Sequence, residues 1–185
     1  MLKPIETVYK GYHFRSRLEA RWAVYFDRVG ALWNYELEGF NLNGLYYLPD
    51  FYVYHPSHFW VEIKPSGKSP DDIESGIVIT RMDLTPFSSI SDMDLEKCRR
   101  LSKASRTMAI MLIGNSYWHE FLPYFFTSDG EEGIDFLCES TVEPERKAEI
   151  ARLVFTFYSC KKSPEELALA YKAAHQARFE YGAVA

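Results

Sequence analysis

A chain of 185 residues, 47% hydrophobic and 25% charged, has the size and composition of one soluble globular domain with room for a small addition. No run approaches the roughly eighteen apolar residues of a membrane span, and the opening MLKPIETVYKGY lacks the apolar core of a signal peptide. These features set aside secreted and membrane classes, and three scattered cysteines point to a reducing cytoplasm. The net charge of −5 disfavours a protein that coats DNA nonspecifically, yet leaves room for an enzyme that touches DNA over a short stretch.

The first element expected is a helix from about Ser16 to Val29. Leu18, Trp22, Tyr25, Phe26 and Val29 recur at helical spacing. Ser16-Arg17-Leu18-Glu19 reads as a capping box, and Gly30 is a natural stop. Three extended segments follow, at Ala31–Tyr35, about Leu45–Tyr54 and Phe59–Lys64. Asn41, Asn43 and Gly44 mark the turn between the first two, and His55-Pro56-Ser57 breaks the second from the third. Such short links favour antiparallel pairing.

Residues 65–91 are rich in Gly, Pro, Ser and Asp and read as an insertion or mobile loop, with only Ile77–Thr80 strand-like. A helix resumes near Asp92 and runs to Ala104, burying Met93, Leu95, Cys98 and Leu101. The apolar run Met108–Ile113, ended by Gly114, suits a central strand covered on both faces. Strand, crossover helix and strand together predict a parallel pair. Residues 116–185 read as a mainly helical C-terminal appendage to a core spanning 1–115. Its clearest helix starts at Ser163-Pro164-Glu165-Glu166 and extends to about Tyr181. Cys98, Cys138 and Cys160 are scattered and odd in number, which argues against a disulfide framework or a zinc knuckle. The expected fold class is α/β, a mixed β-sheet flanked by helices.

Within the third strand, alternation puts Trp60, Glu62 and Lys64 on one face and Val61 and Ile63 on the other. Asp50 sits in Leu48-Pro49-Asp50-Phe51, an acid inside an apolar and aromatic segment that needs a partner. In a hairpin Asp50 comes beside Glu62. Two converging carboxylates suit a hard divalent cation such as Mg²⁺, and an adjacent lysine suits work on a water or on phosphate charge.

Pro49-Asp50 followed by Glu62-Ile63-Lys64 resembles the signature of the PD-(D/E)XK nuclease superfamily. The order helix, three strands, helix, strand is similar to that superfamily's restriction-endonuclease-like αβββαβ core, over Tyr9 to Ile113. Phe14 to Trp22, Tyr47 to Phe51 and Ala177-Arg178-Phe179-Glu180 look like small phage and bacterial members. The resemblance implies hydrolysis of DNA phosphodiester bonds as an endonuclease or exonuclease, the former favoured, with Mg²⁺ or Mn²⁺. It places the metal on Asp50, Glu62 and the Ile63 backbone carbonyl. Lys64 assists the water, and Glu19 holds a second metal or orients a water of the first.

Each residue also has a plainer reading. Glu62 and Lys64 can be an exposed pair, Asp50 a turn residue, and Glu19 the last member of a capping box. Arg15, Arg17 and Arg21, with Arg28, are candidate phosphate contacts, as are Lys97, Arg99, Arg100 and Lys103 in the second helix. Charge on a helix is more often a solvated face. His55 and His58 lack a third nitrogen or sulfur ligand, and His119-Glu120 lacks the second histidine of a zinc-protease motif. The alternative function is a catalytically weak or inactive subunit of a larger complex that binds nucleic acid or protein, with Tyr124–Phe126 as a surface patch. The expected partners are DNA and, for cutting two strands, a homodimer or a partner protein.

Overall fold

The computed structural model describes residues 5–55, 58–65, 90–114, 121–130, 132–133, 164–177 and 179. The expected strand at 77–80, His119-Glu120, Cys138, Cys160, Arg178 and Glu180 lie outside them, as does nearly all of the 65–91 insertion.

The chain opens with a hairpin that the sequence reading did not anticipate, β1 (Thr7–Tyr9) against β2 (Tyr12–Phe14). Its turn is Lys10-Gly11, both at positive φ, the geometry whose twist suits a two-residue hairpin. Helix α1 (Arg17–Val29) follows as expected. Ser16 Oγ accepts from the Glu19 amide, and Gly30 closes the helix at φ 81°. A left-handed conformation there costs glycine no Cβ clash.

Strand β3 (Leu32–Tyr35) leads into a small separate hairpin, β4 (Phe40–Leu42) and β5 (Leu45–Tyr47). Asn43 and Gly44, at φ 59° and 86°, make its turn. The single strand expected over 45–54 is therefore two. Residues 48–50 break the run, β5 pairs within its hairpin, and only β6 (Phe51–His55) enters the main sheet. Proline at 49 has no amide to give a ladder, which is a local reason for the break.

Strand β7 (Phe59–Lys64), helix α2 (Asp92–Ser105), strands β8 (Ala109–Gly114), β9 (Phe121–Phe126) and β10 (Glu132–Gly133), and helix α3 (Pro164–Gln176) complete the described elements. The main sheet has the order β10-β9-β8-β7-β6-β3. β3, β6 and β7 are antiparallel, β7 and β8 parallel, and β9 antiparallel to β8. The protein is thus a mixed α/β fold with a largely antiparallel sheet and few helices.

Each face of the sheet carries its own apolar layer. Phe51, Val53, Phe59, Val61, Ile63, Ile110 and Leu112 pack with Trp22, Phe26 and Val29 of α1 and with Ala170 and Ala174 of α3. Trp60, Ala109, Met111 and Ile113 pack on the opposite face with Cys98 and Leu101 of α2 and with Leu42 and Tyr47 of the hairpin. β8 is buried at all six positions, as a continuous apolar run predicts for a central strand.

Several expectations need correction. Met93 is 54% exposed, because α2 turns Cys98 and Leu101 to the sheet instead. Helix α3 ends at Gln176, short of Tyr181. Of the stretch 116–185 expected as a mainly helical appendage, the described residues include β9 and β10, which extend the central sheet, and α3, which packs on α1. Phe125 and Phe126 are buried on opposite faces of that sheet, so they are core residues and not a surface patch. No helix among the described residues is long and apolar enough to cross a membrane.

Candidate active site

Asp50 lies where β6 begins. Its carbonyl accepts from the Glu36 amide at 2.9 Å, which ties it to the end of β3. β6 pairs with β7 from Phe51 opposite Val61, so Ile63 lies past that ladder. The Asp50 side chain continues the ladder itself: Oδ2 accepts from the Ile63 amide at 2.7 Å. Oδ1 accepts from Arg15 Nη2 at 2.8 Å, and Arg15 Nε reaches Glu36 Oε1 at 2.7 Å. Arg15 stands just before α1, so the helix start and the start of β6 meet at this carboxylate.

Glu62 points to the α2 face. Its Oε2 accepts from the Tyr47 hydroxyl at 2.7 Å, and its Oε1 lies 2.9 Å from Lys64 Nζ. Lys64 Nζ also meets Asp94 Oδ1 at 2.8 Å. Asp94 Oδ2 accepts from Ser91 Oγ and N, at 2.7 and 3.0 Å, closing the capping box of α2. The side chain that caps α2 therefore also holds Lys64.

Glu19 is buried on α1. Oε1 accepts from Ser16 Oγ at 2.7 Å, and Oε2 accepts from the Tyr35 hydroxyl at 2.5 Å and from the Arg15 amide at 3.2 Å. Its carboxylate folds back on the start of its own helix, but onto the Ser16 hydroxyl and the Arg15 amide rather than the Ser16 amide of a full capping box. Its charge is felt at Asp50.

Asp50, Glu62 and Glu19 are all at least nine-tenths buried. Burial, then the Glu62 and Glu19 charges, push the Asp50 carboxyl well above the usual carboxylate range, against the pull of the Ile63 amide and Arg15. For Lys64 burial works against the ammonium, but Glu62 and Asp94 outweigh it and its pKa rises. Asp94 is lowered: burial opposes its charge, while Lys64 and Ser91 favour it more strongly. Burial raises the Tyr47 phenol, and Cys98 and Glu62 add to the effect, so it stays a donor to Glu62.

The structure brings Asp50, Glu62 and Lys64 to the end of β6 and β7, with Glu19 near enough for its charge to be felt at Asp50. Among the described residues no three His, Cys, Asp or Glu side chains form a ready-made cage for an ion. The donors available are carboxylate oxygens of Asp50 and Glu62 and the Ile63 carbonyl, a set that suits a hard cation keeping several waters. Buried acids whose mutual repulsion raises Asp50 also fit a divalent ion chemically, since added positive charge relieves them.

Of the candidate phosphate contacts, Arg15 is engaged with Asp50 and Glu36, Arg17 and Arg28 are exposed, and Arg21 is half-buried. His58 Nδ1 lies 3.0 Å from the Tyr52 hydroxyl; the His55 side chain is outside the described atoms. Sequence reasoning missed Tyr35, Tyr47 and Asp94. Only Asp94 carried a local signal, as the acid three residues after Ser91 at a helix start.

Family models, curated proteins and solved structures were each compared with the chain, and none matches it.

Proposed function

We propose that the protein is a divalent-metal-dependent deoxyribonuclease of PD-(D/E)XK type, hydrolysing phosphodiester bonds by attack of an activated water, with endonucleolytic cutting favoured. The observation that carries this reading is the meeting of Asp50, Glu62 and Lys64 where β6 begins and β7 ends, in the order of the motif they resemble. The sheet order β3-β6-β7-β8, with α1 and α2 on opposite faces, supports this reading.

Asp50, Glu62 and the Ile63 carbonyl would hold Mg²⁺, or Mn²⁺ in its place. When bound, the ion would supply Lewis-acid charge at the phosphoryl group and ease loss of the attacking water's proton to solvent. Lys64, kept as an ammonium between Glu62 and Asp94, stabilises charge that builds on the phosphate as the water oxygen attacks phosphorus. Tyr47 fixes the rotamer of Glu62, and Asp94 fixes that of Lys64. Glu19 contributes negative charge near Asp50 and either a ligand for a second ion or an anchor for a water.

The test is a panel of labelled single-stranded, double-stranded and branched DNA with Mg²⁺, Mn²⁺ or EDTA. Cleavage is expected with either metal and lost in EDTA, Asp50→Ala and Lys64→Ala. Cleavage that survives chelation or Asp50→Ala overturns the mechanism.

A further inference from the structure

Among the described residues, each acid offered as a metal ligand already carries a cation of this chain. Lys64 Nζ lies between Glu62 Oε1 and Asp94 Oδ1, at 2.9 and 2.8 Å, and its side chain is 20% exposed. Arg15 Nη2 donates to Asp50 Oδ1 at 2.8 Å, Arg15 Nε lies 2.7 Å from Glu36 Oε1, and the side chain is 57% exposed. The two pairs differ in what it takes to part them. Lys64 is bound to two acids, one of them fixed in a helix cap by Ser91. Arg15 stands half in water and has Glu36 as a second anion, so its guanidinium can leave Asp50 without losing hydration or its other ionic partner.

Asp50 is held from its other side as well. Oδ2 accepts from the Ile63 amide at 2.7 Å, and the Asp50 carbonyl accepts from the Glu36 amide at 2.9 Å, so backbone bonds fix the residue with or without the arginine. Oδ1 carries no such bond and is the oxygen most open to a cation; in the fold that cation is the guanidinium. An ion such as Mg²⁺ bonds a carboxylate oxygen at about 2.1 Å, which brings it against a guanidinium on the same oxygen. Like charges that close repel strongly around an acid as buried as Asp50. The ion and the guanidinium therefore compete for one atom.

We propose that Arg15 is a built-in competitor of the divalent ion, one that neutralises Asp50 until the ion binds, then gives up Oδ1 and stays beside the site on Glu36. The proposal rests on the nuclease reading for the presence of an ion at Asp50. It adds a residue that sets how much metal the site requires.

Mn²⁺ binding to the full chain, without DNA, is measured by electron paramagnetic resonance at pH 8. Arg15→Gln is expected to bind Mn²⁺ about tenfold tighter than wild type, the factor for a competitor that occupies Asp50 about nine-tenths of the time. A purely structural Arg15 predicts the opposite sign, because loss of a partner that orients Asp50 weakens the site. Arg17→Gln removes an equal charge from an exposed position two residues on, and should change the affinity by less than about twofold. Thermal melting checks that the variants are folded. Phenylglyoxal labelling of wild type, read by peptide mass spectrometry, needs no variant: Mg²⁺ should speed modification of Arg15 severalfold and leave Arg17 unchanged.

Mn²⁺ affinity that is unchanged or weaker in folded Arg15→Gln overturns the proposal, as does Arg15 labelling indifferent to Mg²⁺. An equal gain in Arg17→Gln assigns the effect to net charge and overturns it too. Binding that Asp50→Asn abolishes but Arg15→Gln leaves alone sinks only the role of Arg15. Mn²⁺ binding that is absent, or untouched by Asp50→Asn, sinks the metal site and this proposal with it.

Discussion

The Asp50 carboxylate takes the amide of Ile63 at 2.7 Å, so a side chain on one strand completes the backbone pairing of its neighbour. That bond orients one acid of the candidate site and secures the end of β7, which carries the other acid and the lysine. Asp50 therefore has a structural role beside the chemical one proposed for it, and substitutions must be chosen to separate the two.

Asp50→Asn keeps an acceptor for Ile63, whereas Asp50→Ala leaves a buried amide unpaired at a cost of about 1–3 kcal/mol. Urea denaturation should find the alanine variant less stable than the asparagine variant by roughly that amount. Both should lose metal-dependent cleavage. Equal stabilities would mean that the Ile63 amide finds another partner.

Glu19→Gln tests the two roles of Glu19. The carboxamide oxygen can still accept from Tyr35 and Arg15, and the amide can donate to Ser16. Stability should fall by less than about 1 kcal/mol, against about 2 kcal/mol for Glu19→Ala, which strands the Tyr35 hydroxyl as well as the cap. In the folded Gln variant, cleavage should need a higher Mg²⁺ concentration. An unchanged Mg²⁺ requirement restricts Glu19 to capping.

Asp94→Asn keeps an acceptor for Ser91 but removes the charge facing Lys64. We expect stability to change by less than about 1 kcal/mol and kcat to drop about tenfold with KM little altered. Asp94→Ala should also destabilise α2 by about 1 kcal/mol through loss of the capping box. A double-mutant cycle with Lys64→Met checks the coupling; additive effects on kcat would show that the two side chains act independently.

The raised Asp50 pKa predicts a pH dependence with a definite sign. The folded protein holds this proton after the unfolded chain has lost it, so stability contributed by the group falls as pH rises from the ordinary carboxylate range through the raised value. Asp94, lowered in the fold, acts oppositely: its stabilisation is present above its ordinary pKa and lost only in stronger acid. Lys64, raised, contributes below its ordinary pKa and loses that contribution only in strong base. Melting in EDTA should therefore show a decline on the alkaline side of the carboxylate range that Asp50→Asn removes. Mg²⁺ should restore more stability at pH 8 than at pH 5. A decline that persists in Asp50→Asn assigns it elsewhere.

The amino-acid sequence was sufficient for features encoded within a few neighbouring residues. Ser16 and Gly30 bound α1 as expected, the apolar run before Gly114 is a fully buried strand, and alternation put Glu62 and Lys64 on one face of β7. Each depends on the period of a helix or strand or on a cap, and such signals are complete in the local chain. The parallel β7–β8 pair was legible too, because a helix between two strands leaves few ways to connect them.

Tertiary structure alone decided which partners those residues meet. The break at 48–50 sends β5 into its own hairpin, and that departure carries the Tyr47 hydroxyl to Glu62, fifteen residues away. Tyr35 reaches Glu19, Arg15 reaches Asp50, and Asp94 crosses from α2 to Lys64. None of these pairs shares an element, so no periodicity marks them. A hydrogen bond requires approach within about 3 Å, and closeness between distant segments arises only when layers pack. Hence the candidate side chains could be read from the chain, while their orientation, protonation and support could not.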